Sequence, residues 1–165
     1  MDADPAMEAV MKEIAKKHIK YSEDYIPNLY LDSERYPTFG WGHCFSTVRK
    51  FENVKDYGDY LFEQDFNRAY GDYLRIMRNF NLGNLSYPRK MVILDMCYNM
   101  NYAKVAKFVN TLRALSEGKY LEAVEHMKDS AWYRQTGLRA KRMCAVIASN
   151  TYPVIPNKTA SGVII

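Results

Sequence analysis

"RYPTFGWGHC", residues 35–44, is the stretch on which the fold turns. Two of the chain's eight glycines flank a tryptophan here. At period two, Thr38, Gly40 and Gly42 fall on one face, and Phe39, Trp41 and His43 on the other. One face is large and apolar, suited to burial. The other is nearly bare backbone with one hydroxyl. Glycine inside a strand marks a bend, or a place where another group approaches the backbone closely. A sharply twisted strand that binds nothing fits the same pattern, so the stretch alone leaves both open.

Upstream lie the carboxylates. Glu23 closes a first helical segment, Asp32 and Glu34 fall in an irregular one, and Thr38 begins the glycine strand. Glycoside hydrolysis needs such a set: one carboxylic acid protonates the leaving oxygen, and one carboxylate organises the water or acts as nucleophile. The acid belongs in a partly desolvated place, and the negative end of a helix dipole suits a carboxyl that must keep its proton. Glu23 is placed for that role, and Asp32, in a turn, for the ionised one. Acidic residues in loops are ordinarily solvated, so spacing alone also fits a plain surface.

The rest of the chain sets bounds. Its 165 residues suit one domain with a real core, and 48% hydrophobic and 25% charged residues are ordinary for a soluble protein. Fourteen tyrosines fit core edges and half-wet clefts alike. The net charge of +4 weakly favours an anionic partner such as nucleic acid, cell wall or a membrane surface. Cys44, Cys97 and Cys144 form no CxxC and read as reduced, buried thiols of a chain made in the cytoplasm. The N-terminus lacks the apolar run of a signal peptide. No segment reaches the roughly 18 to 20 apolar residues of a membrane span, so no stable membrane insertion is expected.

Asp4 and Pro5 predict the cap and first turn of a helix running to about residue 23, with Met7, Val10, Met11, Ile14, Ala15 and Ile19 at helical spacing. Residues 24–50 read as short strands and turns. A long helix follows over about 55–80, in which Gly71 is a blemish. Ser86 caps the next helix, whose "MVILDMCYNM" is apolar nearly all round and predicts the buried centre of the helical part. Further helices are predicted at 103–116, 119–128 and 130–147, with Gly137 marking a break. Residues 151–165 read as a tail.

Glu23, eight residues, Asp32, five residues, Thr38, then "FGWGH" resembles the N-terminal signature of the phage lysozymes of the T4 type. "FEQDF" (62–66), "ILDMCYNMNYAKVAKFVNTLRAL" (93–115) and "SAWYRQTGLRAKR" (130–142) are similar to later segments of that family, in order. The resemblance covers residues 18–148. It implies an α+β, lysozyme-like, mostly helical fold. A small β-hairpin lobe (about 24–54) and a larger helical lobe (1–23 and 55–150) would flank a cleft for peptidoglycan glycan strands. By the same resemblance Glu23 is the general acid, and Asp32 and Thr38 hold the attacking water, giving inversion. Glu34, Tyr98, Asn99 and Asn101 would meet substrate. His43 would pair structurally with Asp65, and Arg139 would lie near Glu23. No metal and no cofactor is implied. The bare Thr38–Gly40–Gly42 face would be the cleft floor, with Phe39 and Trp41 packing the small lobe.

The function implied is that of a phage endolysin, an antimicrobial, bacteriolytic hydrolase. It would be a monomer made in the host cytoplasm, acting on the cell wall after a separate holin opens the way. Three residues depart from the family pattern: Asp24 and Asn101 stand where glycine is usual, and so does Arg35. They motivate a second reading, a catalytically weak relative serving as a wall-binding or structural module. A nucleic-acid binder has only the mild charge in its favour, with no motif or clustered basic run.

Overall fold

In the computed structural model, which describes residues 4–31, 37–44 and 54–155, α1 (Pro5–Glu23) starts at the expected cap. The Ala6 amide donates to Asp4 Oδ1 at 2.9 Å, and Pro5 occupies the first turn, where its missing N–H costs nothing. Met11, Ala15, His18 and Ile19 form its buried stripe. The helix stops at Asp24, whose φ of 59° and ψ of 152° are foreign to an α-helix.

Three short strands follow in an antiparallel sheet of order β1-β2-β3: β1 (Ile26–Leu31), β2 (Pro37–Gly40) and β3 (His43–Cys44). Ile26 pairs with Gly40 but Tyr30 with Thr38, so between these pairs three residues of β1 oppose one of β2. β1 therefore bulges around Pro27, which has no N–H to give the ladder. The opening stretch is thus a hairpin rather than one long strand. β2 ends at Gly40, Trp41 and Gly42 make the turn, and β3 returns. Both glycines have positive φ, 63° and 77°, which a Cβ would oppose.

The hairpin corrects three expectations. Gly40 is buried, and its face is not an open floor: a Cβ there would come within 3.3 Å of the Gly58 Cα on the following helix. Trp41 is half-buried and packs against the helical core rather than a separate small one. Cys44 is exposed rather than buried, while Cys97 and Cys144 are buried as expected. Phe39 and Thr38 are both buried.

The helical part comprises α2 (Val54–Asn79), α3 (Tyr87–Val105), α4 (Val109–Ser116), α5 (Tyr120–Lys128), α6 (Ala131–Thr136) and α7 (Leu138–Ser149). α3 is buried along Met91–Cys97, as its all-round apolar run requires, with α1, α2 and α7 packed on it. The break predicted before residue 103 falls at Asn101, whose non-helical φ of 67° and ψ of 168° kink α3 there. The predicted helix over 103–116 is divided by a turn at Ala106–Phe108, and that over 130–147 by Gly137 (φ 59°). Of the tail, residues 151–155 carry no helix or strand, and Tyr152 packs back onto the core. Among the described residues, no helix is long and apolar enough to cross a membrane.

Candidate active site

Glu23 is the last residue of α1, and its side chain is 21% exposed. Two things fix it. Arg139 Nη1 donates to its Oε1 at 2.5 Å. Its other oxygen, Oε2, lies against Gly42 so closely that a Cβ on that glycine would collide with the carboxyl group. The second glycine of the hairpin is thus required by the site as well as by the turn.

Arg139 comes from the first turn of α7, aimed back at α1 and α3, and is almost fully buried. Its Nε and Nη2 donate to the two oxygens of Asp95 at 3.1 and 3.4 Å, which leaves Nη1 for Glu23. A single guanidinium thus bridges two carboxylates. Burial by itself would lower the Arg139 pKa; the Asp95 and Glu23 charges outweigh it and push it up, so the cation is permanent. Asp95 lies in the centre of α3. Burial would raise its carboxyl, but the Arg139 charge and the His18 hydrogen bond hold it down at about 2. His18 Nδ1 meets Asp95 Oδ2 at 3.0 Å.

The hairpin is tied to the helices beside this group. The Tyr98 hydroxyl donates to the Trp41 carbonyl at 3.3 Å, and its ring contacts Phe62. Burial raises the Tyr98 phenol above its ordinary pKa, so it stays a donor. Trp41 Nε1 and Lys20 Nζ both donate to Asp59 Oδ1, at 2.9 and 2.7 Å, joining turn, α1 and α2. His43 Nδ1 lies 2.7 Å from Asp65 Oδ2, linking β3 to α2. A cavity of about 230 Å³ opens here, lined by Gly42, His43, Cys44, Asp65, Arg68 and Tyr98.

Of the residues singled out from the sequence, Glu23 and Arg139 are brought together, as are His43 and Asp65. Thr38 is buried in β2, 3% exposed. Tyr98 abuts the hairpin turn, whereas Asn99 is exposed and accepts from Trp132 Nε1 at 2.8 Å. Asn101 is exposed at the kink, its Oδ1 accepting from the Lys104 amide at 3.2 Å. Asp32 and Glu34, with Arg35, lie outside the described residues. Another cavity, of about 570 Å³, includes Phe108, Thr111 and Trp132 in its walls but neither Glu23 nor Arg139.

Sequence reasoning missed Asp95 and His18. Each had a signal. Asp95 is the one charge in "MVILDMC", where a carboxylate must be paired to be buried. His18 falls on the helical stripe of Met11, Ala15 and Ile19, where a ring with two nitrogens needs a polar neighbour.

No protein-family model matches the chain. Two proteins of Dictyostelium discoideum, named probable T4-type lysozyme 1 and 2, are 29% and 28% identical, each match spanning 82% of this chain and 94% of the relative. The pre-baseplate central spike protein of Enterobacteria phage T4 is 28% identical over 72% of this chain and a quarter of its own length. With a small antiparallel sheet set on a helical core, and similarity to proteins named T4-type lysozyme along four-fifths of its length, the chain has an α+β, lysozyme-like fold.

Proposed function

We propose that the protein is a muramidase, a glycoside hydrolase cleaving the β-1,4 bond between N-acetylmuramic acid and N-acetylglucosamine in peptidoglycan. The observation that carries this is the posture of Glu23. Arg139 holds one carboxyl oxygen, and the other rests beside the bare backbone of Gly42, where no side chain intervenes. A carboxyl held this way can deliver a proton to a glycosidic oxygen from a fixed position. The names of the two Dictyostelium relatives support the class of activity.

In the proposed reaction Glu23 gives its proton to the leaving oxygen as the bond to the anomeric carbon breaks. Water attacks that carbon from the opposite face and loses its proton to Asp32, with Thr38 helping to orient it. The configuration inverts, and no covalent intermediate forms. Glu34, Tyr98, Asn99 and Asn101 would line the sugar path, and His43 with Asp65 would brace the hairpin. The small sheet and hairpin form one lobe of the proposed cleft and the helices the other. We assign the protein a lytic role on the wall of a bacterial host, reached through a separate pore-forming protein.

The departures at Asp24 and Asn101 do not favour a wall-binding module. Both residues keep a positive φ of the kind glycine adopts readily, so the backbone path the family's glycines would give is retained. Mass spectrometry of digested peptidoglycan tests the proposal. Fragments with a free reducing muramic acid, carrying one oxygen-18 when made in labelled water, are expected. Wall binding with no fragments would overturn it.

A further inference from the structure

His18 is 1% exposed, on the apolar stripe of α1, five residues before Glu23. Its Nδ1 is bonded to Asp95, and its Nε2 is buried with no hydrogen-bond partner among the described residues. A histidine serving only to fill space would be better replaced by an apolar side chain, because an unmatched ring nitrogen is costly to bury. The cost is offset only through what Nδ1 does.

Asp95 is held ionised and can only accept hydrogen bonds, so Nδ1 carries the proton of this bond. His18 and Arg139 then grip the same carboxylate from two helices: His18 at Oδ2, Arg139 at Oδ1 through Nε and more loosely at Oδ2 through Nη2. The carboxylate cannot turn about its own axis without breaking one of them. Its plane sets the plane of the guanidinium, and the guanidinium sets where Nη1 meets Glu23. The order of contact is His18, Asp95, Arg139, Glu23, and it begins and ends on α1.

We infer that His18 is a positioning residue for Glu23, acting through Asp95 and Arg139. The inference rests on the reading of Glu23 as the catalytic acid. Without the Nδ1 donor, Asp95 is held by Arg139 alone, and the carboxylate and guanidinium can shift together. Glu23 is then still present but misplaced relative to the scissile oxygen. Misplacement of this sort lowers the chemical step more than substrate binding.

The test measures kcat and KM on purified peptidoglycan for the wild type and for His18→Leu, His18→Asn, His18→Gln and Glu23→Gln, at a temperature where each is fully folded. The Asn amide nitrogen falls near the place of Nδ1, and the Gln amide nearer that of Nε2. His18→Leu is expected to lower kcat at least about tenfold with KM changed less than about twofold. His18→Asn is expected to restore most of the loss and His18→Gln little of it. Wild-type kcat in folded His18→Leu overturns the inference, as does equal kcat in the Asn and Gln variants, which carries the test should the Leu variant not fold. Nitrogen-15 NMR of the wild type adds a reading free of mutation: the proton is expected on Nδ1, and a proton on Nε2 alone overturns the inference. The Glu23→Gln arm separates the two claims. Full activity there removes the catalytic reading itself, whereas an inactive Glu23→Gln beside a fully active His18→Leu removes only the role of His18.

Discussion

Asp24 and Asn101 carry backbone conformations that their side chains resist. Asp24 (φ 59°, ψ 152°) and Asn101 (φ 67°, ψ 168°) sit where a Cβ costs on the order of 1–3 kcal/mol. Asp24→Gly should therefore stabilise the fold, by about 0.5–2 kcal/mol after the extra freedom glycine gives the unfolded chain. Asn101→Gly should gain less, because it also removes the hydrogen bond from the Lys104 amide. Urea midpoints check both, and a loss of stability in Asp24→Gly would contradict the strain. At this scale the sequence was half legible. Glu23 and Arg139 could be placed because each carries a family signature, and Asp24 and Asn101 could be flagged because glycine was expected. That Gly42 touches the Glu23 carboxyl could not be read, since turn and helix end meet only in three dimensions.

Among the elements, the helices were the most legible, for periodicity and caps are local. The errors fell where tertiary contact overrode local pattern. α3 is interrupted at Asn101, where the Tyr102 amide finds Asp72 on α2, at 2.9 Å, in place of an intrahelical partner. The hairpin was read as one strand because period two says nothing of a turn whose residues alternate in the same way. Two glycines within α2 make a prediction. Gly71 has open space around it, so Gly71→Ala should stabilise the helix by about 0.5–1 kcal/mol. A Cβ on Gly58 would press the Tyr25 ring at 3.1 Å, with Phe39 and the Gly40 backbone just beyond. Gly58→Ala should therefore gain less than Gly71→Ala or lose stability, and thermal melts showing the reverse order would contradict the packing of the hairpin on α2.

For the molecule as a whole, the buried bridge of His18, Asp95, Arg139 and Glu23 joins α1, α3 and α7, so its protonation bears on global stability. The Asp95 carboxyl binds a proton near 3.8 ordinarily but only near about 2 in the fold. The unfolded chain therefore takes up the proton first as pH falls. The stability Asp95 supplies is complete above roughly pH 5 and is lost as pH falls through 3.8 toward 2. Asp95→Asn removes this titration, and its urea midpoint should fall less between pH 5 and 2 than that of the wild type. Parallel curves would contradict the charge on Asp95. Of this long-range pairing, that of Arg139 with Glu23 was expected from the resemblance, whereas that of His18 with Asp95, 77 positions apart, was not.

The central claim is that Glu23 delivers the proton. Its most direct test is turnover of purified peptidoglycan by Glu23→Gln, an isosteric change that removes only the transferable proton. The predicted result is a fall in kcat of about 10²–10⁴-fold with glycan binding retained. A variant that still cleaves at near the wild-type rate would contradict it.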